Sequence, residues 1–268
     1  MIKLDGKIIN QEHFPDNSLR IEPIDNGMID FGWLGMTDIP KRITWYYEND
    51  AELFTIICLR KHFANKKMVL DMPYCPHARM DRVKNDNEFF TLKHFTDVIN
   101  SLDFSEVTIY DPHSNVCAAL INNVKVVTPH NEIQKTIKAI DTNNLVAFYP
   151  DEGAMKRGTS CLTGAYAFGI KKRDWCTGKI LGLELMNKDV VNNANVLIID
   201  DICSRGGTFI HSAKALKEAG ARNIYLYVTH CENTILDGEL LTSGLIERVY
   251  TTNSIFTKEH EMIEVFEL

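Results

Sequence analysis

Residues 196–208, VLIIDDICSRGGT, hold the densest chemistry in the chain. Two adjacent carboxylates, Asp200 and Asp201, close an apolar run that reads as a buried strand. Gly206, Gly207 and Thr208 follow, and then the amphipathic helical pattern FIHSAKALKEAGA. Glycines let backbone N–H groups approach an anion closely, and a helix N-terminus adds a favourable dipole. The acids suit a different partner: vicinal hydroxyls, or a magnesium ion bound through water. Sugar hydroxyls beside a phosphate describe a ribose phosphate. A structural turn with a capping Asp uses some of the same residue types. Strand, paired acids, paired glycines, threonine and helix together point to a sugar-phosphate site.

Four other groups could do chemistry. Arg79, Asp81 and Arg82 follow the apolar run MVLDM, with Pro73 and Pro76 shaping the loop between. Two guanidiniums can grip a polyphosphate through paired hydrogen bonds, although a surface ion-pair cluster has the same composition. His113 follows Asp111 at the end of VTIYD. A lone histidine is commonly structural, but this one stands at a strand end, where loops build sites. Asp151, in PDEG, directly precedes a helical pattern and suits an N-cap, a functional carboxylate, or both. Lys171, Lys172 and Arg173 form a cationic run before DWCTGK. Such a run is either a solvated face or a means of neutralising charge that spreads over a transferring phosphoryl group.

These groups need a scaffold of strands with loops at one end. Short apolar runs alternate with helical patterns, which predicts a largely parallel α/β fold. Predicted strands are 68–72, 107–111, 124–128, 145–149, 179–184, 195–200, 224–229 and 248–252. Predicted helices are roughly 49–64, 90–101, 131–139, 153–168 and 208–219, the last stopped by Gly220. The best boundary lies near Thr128–Asn131, giving domains 1–130 and 131–268.

Composition narrows the function classes. The chain has 268 residues, 45% of them hydrophobic and 24% charged, which suffices for one or two cores. A net charge of −7 without basic runs argues against a nucleic-acid or membrane partner. Anionic substrates must therefore meet local cationic clusters. The seven cysteines, Cys58, Cys75, Cys117, Cys161, Cys176, Cys203 and Cys231, are odd in number and form no CxxC. They read as reduced thiols of a cytoplasmic protein, with Cys203 a space-filler rather than a nucleophile. Neither a signal peptide nor a membrane span is expected.

The 196–208 stretch resembles the phosphoribosylpyrophosphate (PRPP) binding motif of the type I phosphoribosyltransferase fold. PYCPHARMDR at 73–82 resembles the PY-x-x-YARQDR segment of ribose-phosphate diphosphokinases, the PRPP synthetases. Further similarities follow in the family's order over nearly the whole chain. FPD at Phe14–Asp16 resembles the adenine loop, and DPH at Asp111–His113 the family's DLH. YPDEG at Tyr149–Gly153 resembles the pyrophosphate loop, KKR at Lys171–Arg173 the catalytic flexible loop, and TTNSI at Thr251–Ile255 the late VTNSI strand.

The resemblance implies two Rossmann-like domains with largely parallel sheets. It also implies a magnesium-dependent transfer of the diphosphoryl group of ATP to ribose 5-phosphate, giving a 1-diphosphate and AMP. Phe14, Asp16, Arg79, Asp81, Arg82 and His113 would then bind ATP, with His113 and Asp151 directed at magnesium. Lys171, Arg173 and His113 would be catalytic. Asp200, Asp201, Ser204, Arg205, Gly206, Gly207 and Thr208 would hold the ribose phosphate. An adenine loop that reaches a neighbouring subunit implies a homo-oligomer.

Several positions depart from the family pattern. Met80 replaces a Gln, Ser18 a Glu, Ser204 an acid and Arg205 a Thr, while Glu152 adds an acid to the pyrophosphate loop. Arg205 could equally meet the diphosphate of ADP-ribose, which leaves an ADP-ribose pyrophosphokinase of NAD metabolism, as in some viral relatives, as an alternative. A phosphoribosyltransferase and an inactive PRPP-synthetase-like regulator are the others. Phe14 lies closer to the start than in the family, and the chain stops soon after IEVFEL. The resemblance therefore leaves family-style hexamers and allosteric control open.

Overall fold

Continuous apolar runs become the inner strands of two sheets, because a strand covered on both faces has no polar side to show. The computed structural model describes residues 1–23, 41–158, 164–173 and 180–268. It divides into two units, Met1–Thr128 and Pro129–Leu268.

The first unit runs β1 (Ile2–Leu4), β2 (Lys7–His13), β3 (Leu19–Pro23), β4 (Lys41–Trp45), α1 (Ala51–His62), β5 (Met68–Met72), α2 (Thr91–Ser101), β6 (Glu106–Tyr110), α3 (Asn115–Leu120) and β7 (Val124–Val127). Its sheet has the order β3-β2-β1-β4-β5-β6-β7. The pairs from β4 to β7 are parallel, whereas β1 to β3 form an antiparallel meander joined to β4. All five residues of β5 are buried. Helix α2 covers the sheet through Leu92, Phe95, Thr96 and Ile99, the spacing of one helical face. The four strands before residue 68 escaped the sequence reading. In β2, KIINQEH, one residue is buried, so it carries no apolar alternation to detect.

The second unit runs α4 (His130–Ile140), β8 (Leu145–Tyr149), α5 (Glu152–Gly158), β9 (Tyr166–Arg173), β10 (Ile180–Met186), β11 (Asn195–Cys203), α6 (Gly207–Glu218), β12 (Ile224–Cys231), β13 (Arg248–Thr252) and β14 (Ile263–Phe266). Its sheet has the order β10-β9-β8-β11-β12-β13-β14, parallel throughout except for β10 on β9. Along β11 the side chains alternate between two cores. Val196 and Ile198 pack with Phe209, Ala213 and Leu216 of α6, while Leu197 and Ile199 pack with Ile133 of α4 and Ala154 of α5.

Two predicted boundaries are corrected. The helix expected over 153–168 stops at Gly158, and Tyr166 onward is strand β9. Its described residues alternate in burial, with Ala167 buried between half-exposed neighbours, which is a strand period. The strand expected over 195–200 continues to Cys203, because pairing with β12 goes on through Ile202↔His230 and Cys203↔Cys231.

Candidate active site

In the second unit the strand β11 delivers its acids just past the end of β8, on the stretch that stays paired with β12 as far as Cys203. Asp201 is 3% exposed, while Asp200 keeps contact with solvent. Their side chains nevertheless meet, and a hydrogen bond between the two carboxyls contributes to the state of Asp200. Asp200 Oδ1 accepts the Asp201 N–H at 3.0 Å. Burial pushes the Asp200 carboxyl well above the usual carboxylate range, and the charges of Asp201 and Asp151 push the same way. Asp151 follows β8 and caps α5, accepting the Ala154 N–H at 3.0 Å on Oδ1. Both roles expected of Asp151 are therefore compatible in one residue: a cap through one oxygen, and negative charge felt at Asp200.

The turn from β11 into α6 is built on two glycines with different duties. Gly206, the N-cap, has φ +81°, and a Cβ there would stand 2.7 Å from Leu240 Cβ. Only glycine fits. Gly207 begins the helix, and nothing lies within 4 Å of where its Cβ would be. Its open side leaves the amides at the head of a 12-residue helix accessible to an anion. Thr208 carries the helix on, its carbonyl accepting Ser212 Oγ at 3.0 Å. Ser204 Oγ lies 3.1 Å from Thr234 Oγ1. The Cys203 thiol is raised out of reach of ionisation by its hydrogen bond with Cys231 and by burial, which suits a space-filler and not a nucleophile.

In the first unit the loop after β5 and the loop after β6 meet. Arg79 and Arg82 are exposed and Asp81 is buried between them. Arg82 forks onto Asp81, with Nε–Oδ1 2.8 Å and Nη2–Oδ2 3.3 Å. Burial works to raise the Asp81 carboxyl, but hydrogen bonds with Arg82 and Ser114, together with the nearby charges of Arg82 and His113, hold the group low. His113 and the ARMDR loop therefore share one surface. Asp111, just ahead, takes a left-handed turn at φ +39°. Phe14 and Asp16 sit at the tip of the β2–β3 hairpin, Phe14 44% exposed. Asp16 Oδ1 accepts the Ser18 N–H at 3.0 Å, which lowers its carboxyl below the ordinary value.

Lys171 and Arg173 lie in the last three residues of β9, paired through the backbone with Leu183 and Ile180 of β10. The DWCTGK segment after them, 174–179, lies outside the described residues. Cys161 and Cys176 also lie outside them; the five described cysteines are free thiols.

Comparison with known proteins narrows the chemistry. The sequence profile of the phosphoribosyl synthetase-associated domain matches residues 186–265, which contain β11, α6 and β13. The ribose-phosphate pyrophosphokinase of Pyrococcus abyssi is 28% identical over 257 residues, covering 92% of this chain and 82% of that protein. That of Saccharolobus solfataricus is 25% identical over 218 residues, covering 80% of this chain and 74% of its own. Over most of its length the chain is similar to the ribose-phosphate pyrophosphokinases, or PRPP synthetases. The fold agrees. The crystal structure of phosphoribosylpyrophosphate synthetase from Mycobacterium smegmatis superposes with a TM-score of 0.74, at 16% identity, over 97% of this chain and 86% of the other.

Within this chain the sequence-expected residues fall into two groups, one per unit. Arg79, Asp81, Arg82 and His113 gather at the strand ends of the first, and Asp151, Asp200, Asp201 and Ser204–Thr208 at those of the second. Sequence reading missed the stretch after β12 that underlies the glycine turn: Glu232, Thr234, Gly238 and Leu240. No local pattern marks these residues, because their proximity follows from the parallel pairing of β11 with β12.

The fit to magnesium can be judged from the donors. Among the described residues no three His, Cys, Asp or Glu side chains are grouped to hold a metal ion. Asp151 and Asp200 nevertheless offer oxygen ligands, and a cation would relieve the repulsion that adds to burial in raising Asp200. Magnesium characteristically keeps several waters and completes its shell with substrate phosphates, so such a sparse set of carboxylates fits it. The imidazole of His113 suits a hard cation less well than it suits a phosphate oxygen.

Proposed function

We propose that this chain transfers the diphosphoryl group of ATP to the anomeric hydroxyl of ribose 5-phosphate. The anomeric oxygen forms a bond to the β-phosphorus, the bond from that phosphorus to the α–β bridging oxygen breaks, and AMP leaves with that oxygen. The hydroxyl proton is released. The observation that carries the reading is the turn from β11 into α6. A raised, partly exposed Asp200 lies six residues before a positive-φ cap, and the open face of Gly207 follows.

Each group has a role set by its chemistry. Asp200, with Asp201 beside it, accepts hydrogen bonds from the ribose hydroxyls. The amides of Gly207 and Thr208 receive the 5-phosphate with Arg205 as a cationic partner, Gly206 shapes the turn, and Ser204 lines the ribose-phosphate loop. Arg79 and His113 hold the ATP phosphates, while Asp81 keeps Arg82 oriented through its fork. Phe14 stacks on adenine and Asp16 stiffens the hairpin that carries it. Lys171 and Arg173 neutralise charge on the transferring group. Asp151 would hold magnesium, which would supply further neutralisation of the triphosphate. Catalysis is then positioning and charge compensation without a covalent intermediate.

The exposed Phe14 tip supports a homo-oligomer in which the hairpin serves a neighbour's nucleotide. The cysteine usage supports a cytoplasmic setting. No described helix is long and apolar enough to cross a membrane. The relatives named above are called for ribose phosphate and lend no support to ADP-ribose. Mass spectrometry of reactions with ATP, magnesium and either sugar tests the reading. AMP with ribose 5-phosphate is expected, and ADP, or turnover with ADP-ribose alone, would refute it.

A further inference from the structure

Four consecutive residues, the last of β11 and the first three of the loop after it, are met in order by one short stretch beyond β12. The Cys203 carbonyl accepts the Glu232 N–H at 2.8 Å. Ser204 Oγ lies 3.1 Å from Thr234 Oγ1. The Arg205 carbonyl occupies the space of a side chain at Gly238, where a Cβ would stand 2.1 Å from it. Gly206 rests on Leu240, which is fully buried. The stretch is a template for the loop, residue against residue.

The side-chain part of this template has a fixed polarity. Thr234 Oγ1 donates to Glu232 Oε2 at 3.1 Å. A carboxylate only accepts, and a threonine hydroxyl has one proton to give. With that proton committed to Glu232, the bond between Ser204 and Thr234 must use the proton of Ser204. Ser204 is left with lone pairs facing the loop and no proton to offer an anion.

We infer that Glu232 and Thr234 are positioning residues for the ribose-phosphate loop, which lock Ser204 as a hydrogen-bond acceptor for a sugar hydroxyl. The 5-phosphate is thereby left to the amides of Gly207 and Thr208, because an anionic oxygen at Ser204 would meet lone pairs. This inference rests on the function proposed above. It divides the loop into a hydroxyl-reading half and an anion-reading half, and assigns the division to residues that touch neither substrate.

A double-mutant cycle tests it on the full chain, with steady-state kinetics in ATP and ribose 5-phosphate. Thr234→Val keeps the shape of the side chain and removes the relay. It is expected to raise KM for ribose 5-phosphate about five- to tenfold, the value of one hydrogen bond. KM for ATP and the melting temperature should stay at the parent values, and Thr234→Ser should restore the parent KM. Glu232→Gln, whose amide can donate to Thr234 and reverse the relay, should move KM the same way as Thr234→Val. In a Ser204→Ala background, Thr234→Val should have no further effect. Additive effects in the cycle, equal shifts in both KM values, or no rescue by serine would overturn the inference while the parent activity stands. A parent chain that releases no AMP from ATP and ribose 5-phosphate would remove the functional reading and this inference with it.

Discussion

Gly206 and Gly207 are neighbours of one type, yet the structure assigns them opposite consequences when each is replaced by alanine. At Gly206 two costs add. A non-glycine residue in the left-handed region costs about 1–2 kcal/mol. The new methyl would also stand 2.7 Å from Leu240 Cβ, within a packed core, and overpacking of this kind costs about 1–3 kcal/mol. The sum is about 2–5 kcal/mol. For domains of this size each kcal/mol moves the melting temperature by about 2–8 °C, so a loss of roughly 10 °C is expected for Gly206→Ala. At Gly207 neither cost arises, since no atom lies within 4 Å of the added Cβ. Alanine is the better helix former by about 1 kcal/mol, so Gly207→Ala should melt at or slightly above the parent temperature. Its methyl instead enters the space proposed for the 5-phosphate, and KM for ribose 5-phosphate should rise at least tenfold. Differential scanning calorimetry and steady-state kinetics on the two variants read both axes. A Gly207→Ala protein with parent kinetics, or a Gly206→Ala protein with parent stability, would refute the division of labour.

Other consequences follow from single residues. Asp200 is raised in the folded protein, so the native state holds a proton that the unfolded chain has lost; stability falls as pH rises above the ordinary carboxylate range. Asp200→Asn should therefore melt higher than the parent in metal-free buffer, with a gap that widens from pH 4 towards neutrality, as pH-dependent melts will show, while AMP release is lost. A constant gap would contradict the shift. Buried Glu52 accepts both Trp45 Nε1 and the Glu48 N–H at 2.8 Å, so Glu52→Ala leaves buried donors unpaired and should cost about 3 kcal/mol in urea titration. Cys203 and Cys231 should resist iodoacetamide in the native protein and react on unfolding, as peptide mass mapping will report; rapid native alkylation of Cys203 would contradict its buried, protonated state.

The legible part of this fold was its buried parallel framework. The runs 68–72, 145–149 and 248–252 are strands at the expected residues, because buried strands draw on apolar, aromatic and β-branched residues. Helix α6 was equally plain, its face carried by Phe209, Ala213 and Leu216 and its end by Gly220. The meander β1–β3 was not legible, since an edge ribbon with exposed polar residues carries little apolar signal. Strand β11 outran its apolar pattern because backbone pairing with β12 continues where the side chains turn acidic. Among the site residues, Asp200, Gly206 and Gly207 announce themselves by type and spacing. Thr234 and Glu232 do not, for their meaning depends on the register of a strand far along the chain.

The central claim is that both terminal phosphates of ATP move together onto the anomeric oxygen of ribose 5-phosphate. Following the reaction by ³¹P NMR tests this most directly. One equivalent of AMP should appear with a sugar bearing a coupled pair of diphosphate resonances and an unchanged 5-phosphate monoester. Formation of ADP with a singly phosphorylated anomeric position, or an ATP spectrum unchanged by the sugar, would contradict it.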